Sequence, residues 1–135
     1  EGAASTEINP NTKYPVIDFL PEQRGIRDKG ATMRLGAWEC RVKKGTRTYD
    51  AYGEENISER HRHRYEVNND YVERLASSGL IISGTSPDGN IVEMIEWPDA
   101  FGIGTQAHPE LKSRLERPAP LFVAFVKACL EKKKD

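Results

Sequence analysis

His108-Pro109-Glu110 sets an imidazole and a carboxylate two positions apart with a proline between them. A carboxylate beside an imidazole fixes its tautomer and stabilises the imidazolium, so such a pair can move a proton for a nucleophile. In extended chain both side chains project to one side, and the proline restrains the backbone between them. Alone the pattern is weak, because a structural histidine near a surface glutamate is commoner.

The second group is the run Arg60-His61-Arg62-His63-Arg64. On an extended strand Arg60, Arg62 and Arg64 share a face with Glu66, while His61, His63 and Tyr65 share the other with Val67. A His-x-His pair can hold a transition metal, but a site needs three or four ligands. His108 is distant in sequence, and Cys40 and Cys129 have no ligand-like spacing, so no metal is assigned. A nucleic-acid grip fits poorly with a net charge of -1 and a pI near 6.4, and no zinc-finger or RNP pattern is present. Two readings stay open. The arginines could pair with Glu54, Glu55, Glu59 or Glu66 on a solvated strand, or one of them could take a carboxylate through its planar fork.

The elements that must position these groups follow from pattern. Residues 1–14 read as polar chain, and Pro15 to Leu20 as a short strand stopped by Pro21. Thr32 to Val42 alternates as a strand, with Met33, Leu35 and Ala37 on one side and Arg34 and Trp38 on the other. Residues 43–58 read as loop, and His63 to Asn68 as a strand. A helix capped by Asn69 or Asp70 runs through Ser77, buries Tyr71, Val72 and Leu75, and ends at Gly79. Leu80–Gly84 and Ile91–Trp97 are strands joined by the turn Ser86-Pro-Asp-Gly89. Gly102 to Gln106 is a small-residue strand leading into His108. Pro120 opens a helix carrying Leu121, Phe122, Phe125, Val126 and Leu130. The class is α/β with an antiparallel patch and a C-terminal helix, in one domain of 135 residues. No apolar run is long enough to span a membrane. Two widely spaced cysteines make no disulfide framework, which suits a reducing, cytoplasmic setting.

These residues and their surroundings resemble the class I glutamine amidotransferase domain of the CTP synthase family. The resemblance runs in order through ASTE (4–7), PVIDFLPEQ (15–23), ATMRLG (31–36), ISERHRHRYEVNN (57–69), SGTSPDGNIVE (83–93), GTQAHPE (104–110) and PLFVAFVKA (120–128). The string SERHRHRYEVNN is the most specific, since other class I amidotransferases share only the HPE feature. The resemblance implies a flavodoxin-like open sheet, of which residues 1–135 are the C-terminal portion.

The resemblance further implies that ammonia released from glutamine aminates UTP to CTP, with ATP and magnesium used in a separate synthetase domain. A cysteine thiolate attacks the glutamine amide; His108 would be its base and acid, and Glu110 the orienting carboxylate. Arg64 matches the arginine that grips the glutamine α-carboxylate, and Glu7 the acid that contacts the α-amino group. Opposite charges at the two ends of one zwitterion make physical sense. Under the same resemblance His61 and His63 are structural. Thr32 and Arg34 fall in a lid segment linked to activation by GTP. Ala31 and Ala107 stand where the family often has glycine and an aromatic residue. The nucleophile belongs to a Gly-x-Cys-x-Gly elbow, and neither Cys40 nor Cys129 lies in one. The expectation is that the N-terminal half of the glutaminase domain and the synthetase domain are supplied elsewhere, that this chain alone does not turn over glutamine, and that the whole protein is a homotetramer. A different class of reading is a non-catalytic amidotransferase-like module that binds glutamine or a partner.

Overall fold

The computed structural model describes residues 2–19 and 33–133. Within them, the short apolar runs form two sheets. The smaller has the order β1-β2-β5, from β1 (Ala3–Ser5), β2 (Tyr14–Phe19) and β5 (Tyr65–Val67). The larger has the order β4-β3-β6-β7-β8, from β3 (Arg34–Val42), β4 (Asn56–His63), β6 (Ile81–Thr85), β7 (Val92–Trp97) and β8 (Gly102–Thr105). Among the described residues β1 and β2 pair in parallel, and the strands of the larger sheet pair antiparallel. The fold is mixed α/β with a C-terminal helix. Antiparallel pairing is the body of the larger sheet rather than a patch.

Three helices complete the described chain: α1 (Arg47–Tyr52), α2 (Asn69–Ser77) and α3 (Pro120–Lys132). The segment read as loop over residues 43–58 contains α1 and the start of β4. Six residues are too few to display a helical period, so its signals are at its ends. The Thr46 hydroxyl accepts from Tyr49 N at 3.2 Å, and Gly53 closes the helix at φ 73°. The carboxylate of Glu96, on β7, is buried against the helix start. It accepts from Arg47 N at 3.1 Å and Thr48 N at 2.7 Å, and meets the Thr48 hydroxyl at 2.6 Å. A full negative charge thus satisfies donors that a helix N-terminus leaves open.

The core gathers Cys40, Val42, Ile57 and Met94, with Tyr49 and Tyr52 of α1 packed against it. Arg34, Cys40 and Val42 are the buried residues of β3, while Leu35 is 58% exposed. The expected apolar side of this strand is therefore the outer one, because the core is reached from the even-numbered positions. Gly84 permits the approach: a Cβ there would lie 2.9 Å from Cys40 Sγ.

α2 is capped by Asn68, one position before the expected cap, with Oδ1 accepting from Asp70 N at 3.1 Å. Its apolar residues Tyr71, Val72 and Leu75 are only half buried. The overlooked strand β1 is three residues long and has no pattern of its own; pairing with β2 makes it. α3 opens at Pro120 as expected, but Phe122, Phe125, Val126 and Leu130 are exposed. Among the described residues no helix is long and apolar enough to cross a membrane.

Candidate active site

β8 leads directly into the His108 segment. Gln106 N continues the pairing with β7 by donating to Glu93 O at 2.9 Å, and Ala107 N donates to Thr105 Oγ1 at 3.0 Å. His108 N then donates to Arg60 O of β4 at 2.8 Å, which ties the histidine to the arginine-rich strand. Pro109 opens a 3-10 turn, Pro109–Leu111, whose first residue needs no N–H. The turn brings Glu110 back under His108. This differs from the extended geometry expected of the tripeptide, and the proline acts by starting a turn rather than by holding a strand.

His108 Nδ1 and Glu110 Oε1 lie 2.7 Å apart, with side chains 39% and 56% exposed. The hydrogen bond from His108 holds the Glu110 carboxyl below the usual carboxylate range. An ionised Glu110 is an acceptor only, so Nδ1 carries the hydrogen, which in the neutral ring leaves the lone pair on Nε2. A pair so arranged can serve as a base with its orienting carboxylate, open to a reacting group.

Arg64 occupies the bend between β4 and β5. Its Nε is buried and has no hydrogen-bond partner among the described residues. Gln106 Nε2 donates to Tyr65 O at 3.3 Å, so the His108 segment is tied once to the bend and once to the strand before it. Glu7 lies in the exposed turn after β1, its N donating to Ser5 Oγ at 3.2 Å. Because β1 runs with β2 and β2 against β5, Glu7 sits at the end of the small sheet where Phe19 pairs with Tyr65. Arg64 leaves the sheet at that same end. Thr32 lies outside the described residues.

Arg34 is placed in a buried charge cluster. Its Nη2 lies 2.8 Å from Glu93 Oε1 and its Nη1 3.5 Å from Glu66 Oε1, and the guanidinium covers the Trp38 ring at 4.6 Å. His61 and His63 join the same cluster, with His61 Nδ1 2.9 Å from His63 Nε2. Glu66 is therefore buried with the histidines, not on the arginine face, because the bend at Arg64 shifts the alternation by one. Glu55 pairs with Lys44 at 3.1 Å and Glu59 with Lys112 at 3.6 Å, so two of the acids considered as partners for the arginine run face other cations. Sequence reasoning passed over Glu93 and Gln106. The signal for Glu93 was available: VEMIEW carries two carboxylates inside an otherwise apolar strand, and such charges are buried only when paired.

The two thiols have opposite settings. Cys40 is buried in β3, where loss of solvent and then the Glu93 charge push its thiol up to about 12. Cys129 is exposed on α3. Among the described residues no group of three or more His, Cys, Asp or Glu could hold a metal ion.

Comparison with known proteins identifies the family. The family model "Glutamine amidotransferase class-I" matches residues 7–128. The chain is 55% identical over 132 residues to a CTP synthase of Staphylococcus aureus strain NCTC 8325 / PS 47, covering 97% of this chain and 25% of that protein. The same values hold for the CTP synthase of strain JH9. The structure matches the glutaminase domain of a Trypanosoma brucei CTPS, solved with bound acivicin, at a TM-score of 0.88 and 34% identity. That match covers 96% of this chain and 51% of the other. The chain thus spans about a quarter of the length of the curated relatives it matches.

Proposed function

Because the chain belongs to the class-I glutamine amidotransferase family, we propose that it carries the proton-transfer and glutamine-binding half of a glutaminase site. The observation that carries this reading is the 2.7 Å contact between His108 Nδ1 and an ionised Glu110. Nε2 of His108 takes a proton from a cysteine thiol, and the thiolate attacks the side-chain amide of glutamine. The same nitrogen returns the proton to the departing ammonia, and water then hydrolyses the thioester. Arg64 takes the α-carboxylate of glutamine and Glu7 its α-amino group, from one end of the small sheet.

Neither thiol of this chain suits the nucleophile. Cys40 is held protonated in the core, and Cys129 lies within a helix rather than at a turn before one. The nucleophile is therefore supplied by a part of the protein outside these residues. The ammonia serves the amination of UTP to CTP, in a protein related to the CTP synthases. In this reading ATP and magnesium act in a separate synthetase domain, GTP activates through the segment of Thr32 and Arg34, and the whole protein is a cytoplasmic homotetramer. The test is glutamine hydrolysis and UTP amination by a full-length protein carrying this chain. Hydrolysis that disappears in His108→Ala, while ammonium still aminates UTP, supports the reading. Unaltered hydrolysis in His108→Ala rejects it.

A further inference from the structure

Five titratable side chains of the buried cluster come from four strands. Arg34 stands on β3, His61 and His63 on β4, Glu66 on β5 and Glu93 on β7. Glu66 and Glu93 are among the most deeply buried side chains of the molecule. Burying two carboxylates beside one arginine carries a large desolvation cost, which the cluster's contacts must offset through their geometry.

The hydrogen positions follow from the acceptors. His63 Nδ1 lies 3.3 Å from Tyr65 O, which can only accept, so Nδ1 carries the hydrogen. His63 Nε2 then accepts from His61 Nδ1 at 2.9 Å. His61 Nε2 is left with a lone pair 3.7 Å from Glu93 Oε2. This chain of contacts locks both residues that flank Arg64. His63 is held by His61, and Tyr65 O by His63 and Gln106. One residue further on, Glu66 is held by Arg34. Glu93 joins the two halves of the site: its side chain meets Arg34, and its backbone carbonyl receives Gln106 N, two residues before His108.

We propose that this cluster is a positioning device for Arg64, with Glu66 and Glu93 as positioning residues that set the bend relative to the His108 segment. The inference rests on the glutaminase reading given above. Neither carboxylate touches substrate; both act through the backbone that carries Arg64.

Charge balance agrees with the contacts. Burial, and then the charge of Arg34, lower His61 to about 3 and His63 to about 4, so both rings are neutral near pH 7. One arginine then faces two carboxylates, and the cluster is neutral only when it holds one more proton. Burial raises Glu66 to about 7 and also raises Glu93, while Glu93 has the closer ion pair with Arg34. The extra proton sits within this pair of carboxyls. The charged and titratable groups that face Glu66 are Arg34 on β3, His63 on β4 and Glu93 on β7, and Glu93 in turn faces His61 on β4 and Cys40 on β3.

The experiment uses a full-length protein carrying this chain, with Glu66→Ala, Glu93→Ala, Glu66→Gln and Arg64→Ala. Glutamine-driven and ammonium-driven amination are followed together, with hydrogen exchange at residues 63–67. The expected result is a glutamine KM raised roughly tenfold or more in both alanine variants, with kcat within about threefold and ammonium-driven activity unchanged. Exchange across the bend should quicken in the same variants. Glu66→Gln, an isostere of the protonated acid, should restore KM to within about twofold. In the Arg64→Ala background, Glu66→Ala should add nothing to KM. The proposal is overturned if KM rises in Arg64→Ala but not in the two alanine variants. It is also overturned if those variants lose ammonium-driven activity along with glutamine use, which marks general unfolding. If Arg64→Ala itself leaves KM unmoved, the glutamine reading of Arg64 falls instead. Exchange at 63–67 then decides the clamp: faster exchange sustains it, and unchanged exchange rejects it.

Discussion

At the scale of single residues, the proposed reaction depends on which nitrogen of His108 holds the proton. Glu110 decides this from a solvent-accessible position, so its contribution should be smaller than that of the base it orients. In a full-length protein carrying this chain, His108→Ala should lower glutaminase kcat by about 10²- to 10⁴-fold. Glu110→Gln should cost roughly tenfold, because the amide can still accept from Nδ1 but no longer stabilises the imidazolium. The pH dependence has a definite sign. Glu110 is depressed, so its help is present at neutral pH and fades as acid protonates it; kcat/KM of Glu110→Gln should lack that acid limb. The thiols offer a second check. A thiol-reactive dye should label Cys129 quickly in the folded chain and Cys40 only on unfolding, because Cys40 is buried and held protonated. Equal labelling rates would contradict the core position of β3.

At the scale of elements, buried carboxylates do the stitching. Glu96→Ala removes the acceptor for the start of α1 and leaves its donors buried, which should cost about 3 kcal/mol in a denaturant titration. The histidine–glutamate cluster links stability to pH in two opposing ways. His61 and His63 are depressed, so the unfolded chain binds more protons below pH 6.5 and stability rises with pH up to there. Glu66 is raised from 4.5 to about 7, so the folded chain binds the extra proton and stability falls across that window. The two trends offset each other. Glu93 is raised in the same sense, so Glu66→Gln removes only its own share of the falling trend, and its stability should climb more steeply between pH 4.5 and 6.5 than that of the wild type. A parallel curve would show that Glu66 ionises normally. How much of this was legible in the sequence varies with the element. The Ser86–Gly89 turn, the Pro120 helix start and the HPE tripeptide carry their own chemistry and could be read directly. α1 and β1 could not, since six and three residues hold no period and their partners come from distant chain. The face of β3 was misread because its buried side opens with a charged residue, Arg34, while apolar Leu35 points outward, and Glu66 because the bend at Arg64 shifts the alternation by one.

At the scale of the whole molecule, the outer face of α3 presents Phe122, Phe125, Val126 and Leu130 to solvent, and Leu115 stands 94% exposed. A soluble surface rarely carries so many large apolar groups together. The part matched is 51% of the related Trypanosoma brucei glutaminase structure. The isolated chain should bind a hydrophobic dye and self-associate with concentration in sedimentation. Phe125→Lys with Leu130→Lys should suppress both, whereas a reversible monomeric melt of the unaltered chain would argue that the face needs no cover. The placement of the site residues was legible only as a list of types; that His108 and Arg64 are joined through Arg60, Gln106 and Tyr65 emerges from the sheet alone. β7 adds a consequence for assembly. It carries Glu93 to the arginine cluster and Glu96 to the start of α1, from a single six-residue strand. A slide of this strand along its neighbours would strand both charges in apolar surroundings at once. β7 is thus a key that turns in one alignment only, and β8, hung from it, delivers His108 to its place already in register.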